Sequence, residues 1–322
     1  MQSKFLILLV SIALTIPTQE CAAARNNGAL TAEKRDAIKQ LEIYNLVIQD
    51  EILPPTKLFN SNGIAMILGG VFTAIIAVGI DTSTNEGRSR SAINIIKPLW
   101  NTTVDFDFRK LTAKEFNRQL EGDFTLNNKK DAAEMAVINS RAIHHKINQL
   151  KDGGALLVLN TNYRLIKGST ILSIETKAAL YDRSSGKVRK KQGGSGRKKS
   201  PKKIYETTIY YESGKVGTGD EDSIALWNEN NAALYRKTLE ESIKFTAENI
   251  RHGLQARPNE HTCKPKVKSR HSTALRSNTV IEGRLVDVQN GRIKIHGKSG
   301  HITSTTRKYT IYTSKHKNND CK

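Results

Sequence analysis

The spacing of apolar residues switches between two periods along the middle of the chain. Alternating apolar and polar residues, or short runs of β-branched and aromatic residues, predict β-strands. The segments with this pattern are 41–48, 104–108, 155–163, 170–181 and 204–211. Apolar residues three or four positions apart predict α-helices instead. These segments are 112–121, 131–150 and 220–252.

The order of these segments predicts the fold class. Lys167-Gly168-Ser169 lies between two predicted strands and is typical of a hairpin turn. We therefore expect an α+β fold over residues 101–255, with an antiparallel sheet of about four strands packed by two or three helices.

The helix predicted over 220–252 has an apolar stripe with one strongly polar member. N-cap candidates occupy 220–223, and Gly253 follows the last turn. The stripe consists of Trp227, Asn231, Tyr235, Leu239, Ile243, Ala247 and Ile250. The prediction places Asn231 on the same face as the apolar residues.

The region 263–322 has the pattern of a small basic all-β module, separated from the rest by a linker near Pro258. Two strand-like segments, 280–288 and 292–296, flank Asn290-Gly291, which is the strongest short signal for a β-hairpin. Residues 302–313 predict one or two further strands.

An uncharged apolar segment occupies 64–80, within a predicted unit of 63–100 that continues as a polar helix. Small residues line one helical face of it: Ala65, Gly69, Gly70, Thr73 and Ala77. Such a stripe lets two helices approach closely, in a membrane or in a protein core. Seventeen residues would span roughly 26 Å, against ~30 Å of bilayer core. A partner-packing helix and membrane contact therefore both stay open.

Residues 1–24, ahead of an N-terminal segment of 25–62, have the pattern of a cleavable signal peptide. Lys4 precedes the apolar run 5–16, and Ala22-Ala23-Ala24 offers small residues before a cleavage site at Arg25. Cys21 would suggest a lipoprotein, but Glu20 before it does not fit a lipid-attachment sequence. We expect export to the periplasm or cell envelope, or secretion.

Two cysteines, Cys263 and Cys321, are left after such a cleavage. An exported chain with an even count favours one disulfide, closing a loop of about 58 residues. Two free thiols are the alternative.

The net charge of +20 is concentrated in two places. The region 263–322 holds fourteen Lys and Arg residues against three acids, and 187–203 holds nine and no acid. The nine predicted anion-binding residues are Lys187, Arg189, Lys190, Lys191, Arg197, Lys198, Lys199, Lys202 and Lys203. Anionic lipid, lipopolysaccharide or cell-wall polymer is the expected partner. Nucleic acid is less favoured, because 187–203 has no aromatic residues for base stacking, and a solvated loop without a partner is the alternative.

The chain carries no catalytic signature. A nucleophile elbow, a phosphate-binding loop and zinc-ligand spacing are all missing from the sequence. His144-His145 point about 100° apart on a helix, so they would not chelate one metal. Asp105 and Asp107 share one face of a predicted strand, and this alternation is typical of a solvated strand face. We predict no catalytic residue, no metal and no cofactor.

Several segments together resemble a known group of proteins. They are Gly69-Gly70-Val71-Phe72-Thr73-Ala74, Val104-Asp105-Phe106-Asp107-Phe108, Ala155-Leu156-Leu157-Val158-Leu159, Ala179-Leu180-Tyr181-Asp182 and Ser223-Ile224-Ala225-Leu226-Trp227. The layout over residues 40–255 resembles exported envelope proteins and lipoproteins of Gram-negative bacteria. It is similar to the small α+β domains of periplasmic assembly factors of the curli-secretion and TolB amino-terminal type.

This resemblance implies an interaction protein of the periplasm. We therefore expect a non-enzymatic envelope protein that contacts other envelope proteins, anionic surfaces or both. The alternative is a secreted protein that binds nucleic acid or another polyanion, or a host target. An enzyme with a site built from scattered residues is the least favoured interpretation.

Overall fold

The computed structural model describes residues 30–47, 52, 83–126, 140–183, 201–255, 264–271, 279–289, 291–297, 300–306 and 309–312. The predicted signal peptide, the small-residue stripe of 64–80, Cys263 and Cys321 lie outside these ranges. So do seven of the nine basic residues predicted to bind anions, all except Lys202 and Lys203.

The described residues form five helices and ten strands, which confirms the α+β class. The helices are α1 Ala32–Asp36, α2 Ser83–Thr102, α3 Phe108–Leu120, α4 Ser140–Gln149 and α5 Asp220–Gln255. The strands are β1 Gln40–Val47, β2 Thr125–Leu126, β3 Gly154–Ile166, β4 Ile171–Asp182, β5 Tyr205–Glu212, β6 Lys266–His271, β7 Thr279–Gln289, β8 Arg292–Gly297, β9 Ile302–Thr305 and β10 Tyr309–Tyr312. None of these helices has the length and apolar character needed to cross a bilayer.

All ten strands belong to one mixed sheet, in the order β10-β6-β7-β8-β9-β5-β4-β3-β1-β2. The prediction of about four antiparallel strands is therefore wrong in size and in direction. The antiparallel β3-β4-β5 meander is present, but β1 runs parallel to β3 and β9 runs parallel to β5. Parallel pairs join strands far apart in sequence, which short-range patterns do not reveal.

The C-terminal strands extend the central sheet, because β9 pairs with β5. Ile209, Tyr210 and Tyr211 lie opposite Ile302, Thr303 and Ser304. The Thr207 hydroxyl also donates a hydrogen bond of 2.6 Å to the Gly300 carbonyl. Ile302 is buried in the same core cluster as Ile209, so the two regions share a core.

The two faces of the sheet are covered differently. On one face, called the helix face, α3 and α5 pack against the apolar side chains of β1, β3, β4 and β5. On the other, called the reverse face, α4 buries Ile147 and Leu150 against Leu156, Val158 and Tyr181. The alternation of side chains along each strand assigns every strand residue to one of the two faces.

The predicted strand over 104–108 is instead a turn followed by a helix start. Asp107 is the N-cap of α3, and its carboxylate accepts a hydrogen bond of 3.1 Å from the Lys110 N–H. Phe108 turns into the core while Val104 is 86% exposed. Asp is a favoured N-cap, and here the cap overrides the strand-like alternation.

Helix α5 is interrupted at Glu229–Ala232, which the sequence pattern did not predict. Asn230, Asn231 and Ala232 have φ values of 51°, 58° and 56°, in the left-handed region. Asn231 is exposed rather than on the buried stripe, and fully buried Ala232 packs in the core with Trp227 and Tyr235. Asn tolerates left-handed backbone better than most residues, which explains the pair of asparagines at this position.

Candidate anion-binding site

Lys202 and Lys203 are the only predicted anion-binding residues within the described ranges. Both are exposed, and they directly follow buried Pro201 at the start of the chain segment that leads into β5. Lys203 forms an ion pair with Glu206. At this position the structure therefore shows one lysine whose charge is partly matched by a carboxylate.

A second basic group, which the sequence analysis did not single out, is built by the register of the C-terminal strands. Lys266 of β6 lies opposite Arg284 of β7, and Arg284 lies opposite His296 of β8. We call Lys266, Arg284 and His296 the basic ladder. Val267 and Ile295, their neighbours along the chain, are buried together in a small cluster, whereas His296 lies opposite Ile302, which packs in the core on the helix face. Alternation therefore puts the basic ladder on the helix face.

The basic ladder is accessible to solvent. Lys266 is exposed, and Arg284 and His296 are half-buried. One guanidinium nitrogen of Arg284 donates a hydrogen bond of 2.9 Å to the Lys264 carbonyl, which fixes the side chain beside Lys266. Like charges directly opposite each other on a sheet are destabilising. An anion bound across the ladder would remove that repulsion.

The neighbouring positions on the same strands show how charges are matched elsewhere. Lys294 of β8 lies opposite Asp287 of β7, so this cross-strand pair combines opposite charges. The basic ladder instead places Lys266 directly opposite Arg284, so this cross-strand pair combines like charges. It is therefore the part of these strands where positive charge accumulates on adjacent strands.

Arg292 lies on the same face but is used inside the protein. It donates hydrogen bonds to the Glu212 carbonyl (2.6 Å) and the Ser304 hydroxyl (3.0 Å). Its guanidinium lies 4.4 Å from the centre of the Tyr211 ring, a cation–π contact. These contacts join β8 to β5 across β9 and fix the ladder relative to the central sheet.

The alternation of basic and apolar residues along β8 is a sequence signal for this surface. Arg292, Lys294 and His296 alternate with Ile293 and Ile295, which predicts one basic and one apolar face of a strand. The meeting of Lys266 with Arg284 depends on the β6–β7 register, which the intervening sequence does not fix. The face was therefore predictable, but the ladder was not.

A hollow lies elsewhere, between α2 and the first half of α5. This groove of about 930 Å³ is lined by Ser91, Asn94, Ile95, Pro98, Glu221, Ile224, Ala225 and Asn228. The side-chain oxygen of Asn228 is buried without a hydrogen-bond partner. The lining combines one carboxylate with amides and apolar groups, and it contains no nucleophile paired with a base.

The other candidates of the sequence analysis do not assemble into a site. Asp105 accepts hydrogen bonds of 2.6 and 3.2 Å from Arg236, which lower the pKa of its carboxyl group, while Asp107 caps α3. His144 is half-buried and His145 is exposed on α4. Within the described ranges, no cluster of three or more His, Cys, Asp or Glu side chains could hold a metal ion.

No protein-family model, curated protein or solved structure matches this chain.

Proposed function

We propose that this chain is an exported, non-enzymatic envelope protein that binds anionic surfaces through its C-terminal strands. The observation that carries the proposal is the basic ladder, where Lys266, Arg284 and His296 meet on three adjacent strands. All three residues lie within the region 263–322, which holds fourteen Lys and Arg residues.

The geometry of the ladder favours an extended anion over a single small one. Neighbouring strands are about 4.8 Å apart, so the three side chains span roughly 10 Å across the sheet. Phosphates or carboxylates repeated on a polymer, or presented together by a bilayer, can contact several of these side chains at once. Each Lys or Arg near an anionic membrane adds on the order of 1 kcal/mol of binding free energy, falling with salt.

Anionic phospholipid, lipopolysaccharide or cell-wall polymer is the proposed partner class, because the N-terminal sequence predicts export. N-terminal mass spectrometry of the native protein tests that part, and we expect the chain to begin at Arg25. A native chain that begins at Met1 would contradict export and would favour nucleic acid as the polyanion.

Vesicle binding tests the role of the ladder. The double variant Lys266→Gln with Arg284→Gln should bind vesicles containing anionic phospholipid about 30-fold more weakly than wild type at low salt, from two charges at ~1 kcal/mol each. The matched control is Lys237→Gln with Lys244→Gln, which removes two exposed charges from α5. Co-sedimentation across a salt titration measures both.

Equal losses in the two double variants would mean that only net charge matters and would reject the ladder as the site. Absence of wild-type binding at low salt would reject anion binding altogether. A parallel titration with double-stranded DNA that gives tighter binding than any vesicle would favour the nucleic-acid alternative.

A further inference from the structure

The reverse face of the sheet carries a row of polar side chains on four neighbouring strands. Asn162 of β3 lies opposite Glu175 of β4, which lies opposite Tyr210 of β5. Tyr210 lies opposite Thr303 of β9. We call these four residues the polar row. With strands about 4.8 Å apart, the row spans ~14 Å across the centre of the sheet.

Both ends of the polar row have a buried oxygen atom without a hydrogen-bond partner. These atoms are the side-chain oxygen of Asn162 and the hydroxyl of Thr303. Thr303 is completely buried, whereas Asn162 is half-buried. Buried polar groups are paired in the great majority of cases, and an unpaired one costs about 1–3 kcal/mol. Two such atoms therefore lie in this one row.

Arg164 lies beside the row, two residues after Asn162 and on the same face of β3. Its side chain is half-buried, and burial lowers the pKa of its guanidinium to about 10. Among the described residues, none accepts a hydrogen bond from this guanidinium. A partly buried cation without a hydrogen-bonded anion is costly, because desolvation is not offset by a direct contact.

The one carboxylate that acts on Arg164 is already shared. Glu175 attracts Arg164 electrostatically, but its Oε1 lies 3.2 Å from the Lys177 ammonium. Glu212, further along the face, is buried and accepts a hydrogen bond of 3.1 Å from Thr305. Two cations therefore share Glu175, and the group formed by Arg164, Glu175 and Lys177 has a net positive charge.

Tyr210 adds a hydroxyl group that stays protonated. Burial, together with the charge of Glu175, raises the pKa of Tyr210 to about 12. The phenol is therefore neutral across the physiological pH range. At the same time its ring supplies an apolar surface in the middle of the row.

We propose that Arg164 and the polar row bind a small ligand that carries a carboxylate or phosphate group. The planar guanidinium binds the two oxygens of such a group in parallel, which an ammonium group does not do. A polar group elsewhere on the ligand donates to Asn162, which is half-buried like Arg164. This site lies on the opposite face from the basic ladder and on different strands, so it does not depend on the proposed function.

Thermal unfolding of the full chain tests the site, with inorganic phosphate or acetate compared with sodium chloride at equal ionic strength. We expect phosphate or acetate to raise the wild-type midpoint by about 2 °C over chloride at roughly ten times its dissociation constant. The anion that stabilises more identifies the group that Arg164 accepts. Arg164→Met should lose this stabilisation, and Arg118→Met on α3 should keep it.

The ligand-free midpoint of Arg164→Met separates a binding role from a structural one. We expect it to equal or exceed that of wild type, because the substitution removes a cation that lacks a hydrogen-bonded partner. If Arg164→Met does not fold, the anion affinity of Arg164→Lys tests the binding role of Arg164 instead. It keeps the charge but loses the planar donor pair, so we expect at least fivefold weaker anion binding.

Three results would overturn the proposal. They are equal stabilisation of wild type by chloride and by both test anions, full stabilisation of Arg164→Met, and full anion affinity in Arg164→Lys. The double variant Lys266→Gln with Arg284→Gln should keep the effect. Loss of anion stabilisation in that variant would assign the anions to the basic ladder instead.

Discussion

Single residues decide two features of this fold against the local sequence pattern. Asp107 turns an alternating segment into a helix start, because its carboxylate is used by the backbone of α3. Arg236 has a comparable effect at the interruption of α5. It donates to the Asn231 carbonyl at 3.0 Å and to the Thr102 carbonyl at 2.9 Å, and it lies 5.4 Å from the Phe106 ring centre. One side chain thereby ties the interruption to the connection between α2 and α3.

The left-handed turn in α5 gives a test at one exposed position. Asn231→Val should lower the free energy of unfolding by about 1–2 kcal/mol, because a β-branched residue is strained at φ 58°. Asn231→Gly should stay within about 0.5 kcal/mol of wild type, because glycine adopts this conformation without a steric cost. Urea unfolding measures both.

The control for this comparison is Lys237→Val, an exposed position after the interruption. It should cost only the difference in helix propensity, about 0.5 kcal/mol. If Asn231→Val costs no more than this control, the turn is a regular helix in solution and its assignment is wrong.

At the scale of elements, local patterns predict helices and hairpins well and strand partners poorly. The meander of β3, β4 and β5 follows from alternation and from the turn at Lys167-Gly168-Ser169, whose three φ values are all positive. The parallel pairing of β9 with β5 joins residues about 90 positions apart. It depends on burial of Ile302 in the shared core, which becomes visible only when the sheet is assembled.

The candidate sites, too, could be predicted where they depend on local sequence pattern and not where they depend on strand pairing. The positive charge of the C-terminal region is evident in the sequence, and the alternation in β8 indicates a basic face. The meeting of Lys266 with Arg284, and of Asn162 with Thr303 through two further strands, is a property of register. Arg164, between apolar Tyr163 and Leu165, had no sequence signal that separates it from an ordinary surface arginine.

The β7–β8 pair gives a test at this scale, through the close approach at Gly283. A Cβ atom there would clash with the His296 carbonyl oxygen, so the strands would have to separate. Gly283→Ala should lower the free energy of unfolding by about 1–3 kcal/mol, as measured by urea unfolding followed by circular dichroism.

Gly214→Ala is the matched control, because a Cβ atom at Gly214 would meet nothing within 4 Å. We expect this variant to be neutral or slightly more stable. Similar losses for the two alanine variants would show that general glycine effects, rather than the spacing of β7 and β8, explain the result.

At the scale of the whole molecule, the sheet joins regions that the sequence pattern separates. The core cluster that contains Ile209 of β5 and Leu254 of α5 also contains Ile302 of β9. The contacts of Arg292 with Glu212 and Ser304 add a polar connection between the same strands. The described parts of the two regions therefore share both apolar and polar interactions.

A shared core predicts one cooperative unfolding transition. Far-ultraviolet circular dichroism reports all strands, whereas tryptophan fluorescence reports the α2–α5 core through Trp100 and completely buried Trp227. We expect the two urea transitions to coincide. Arg292→Gln should shift both to lower urea by the same amount, equivalent to about 2–3 kcal/mol.

Two separate midpoints, or a shift in circular dichroism alone for Arg292→Gln, would contradict this prediction. Such a result would mean that the C-terminal strands melt by themselves. Arg118→Gln, which removes an exposed i,i+3 ion pair with Glu115, is a control expected to change the midpoint little.

The strand order sets the distance between β1 and the strands that carry the basic ladder. Counting across the sheet, β1 and β7 are separated by six inter-strand steps of about 4.8 Å, or ~29 Å. If this protein were anchored beside β1, Arg284 of β7 would lie at this distance from the anchor. The distance is comparable to the thickness of the hydrocarbon core of a bilayer. The width of the sheet would then set the distance between such an anchor and the proposed anion-binding residues.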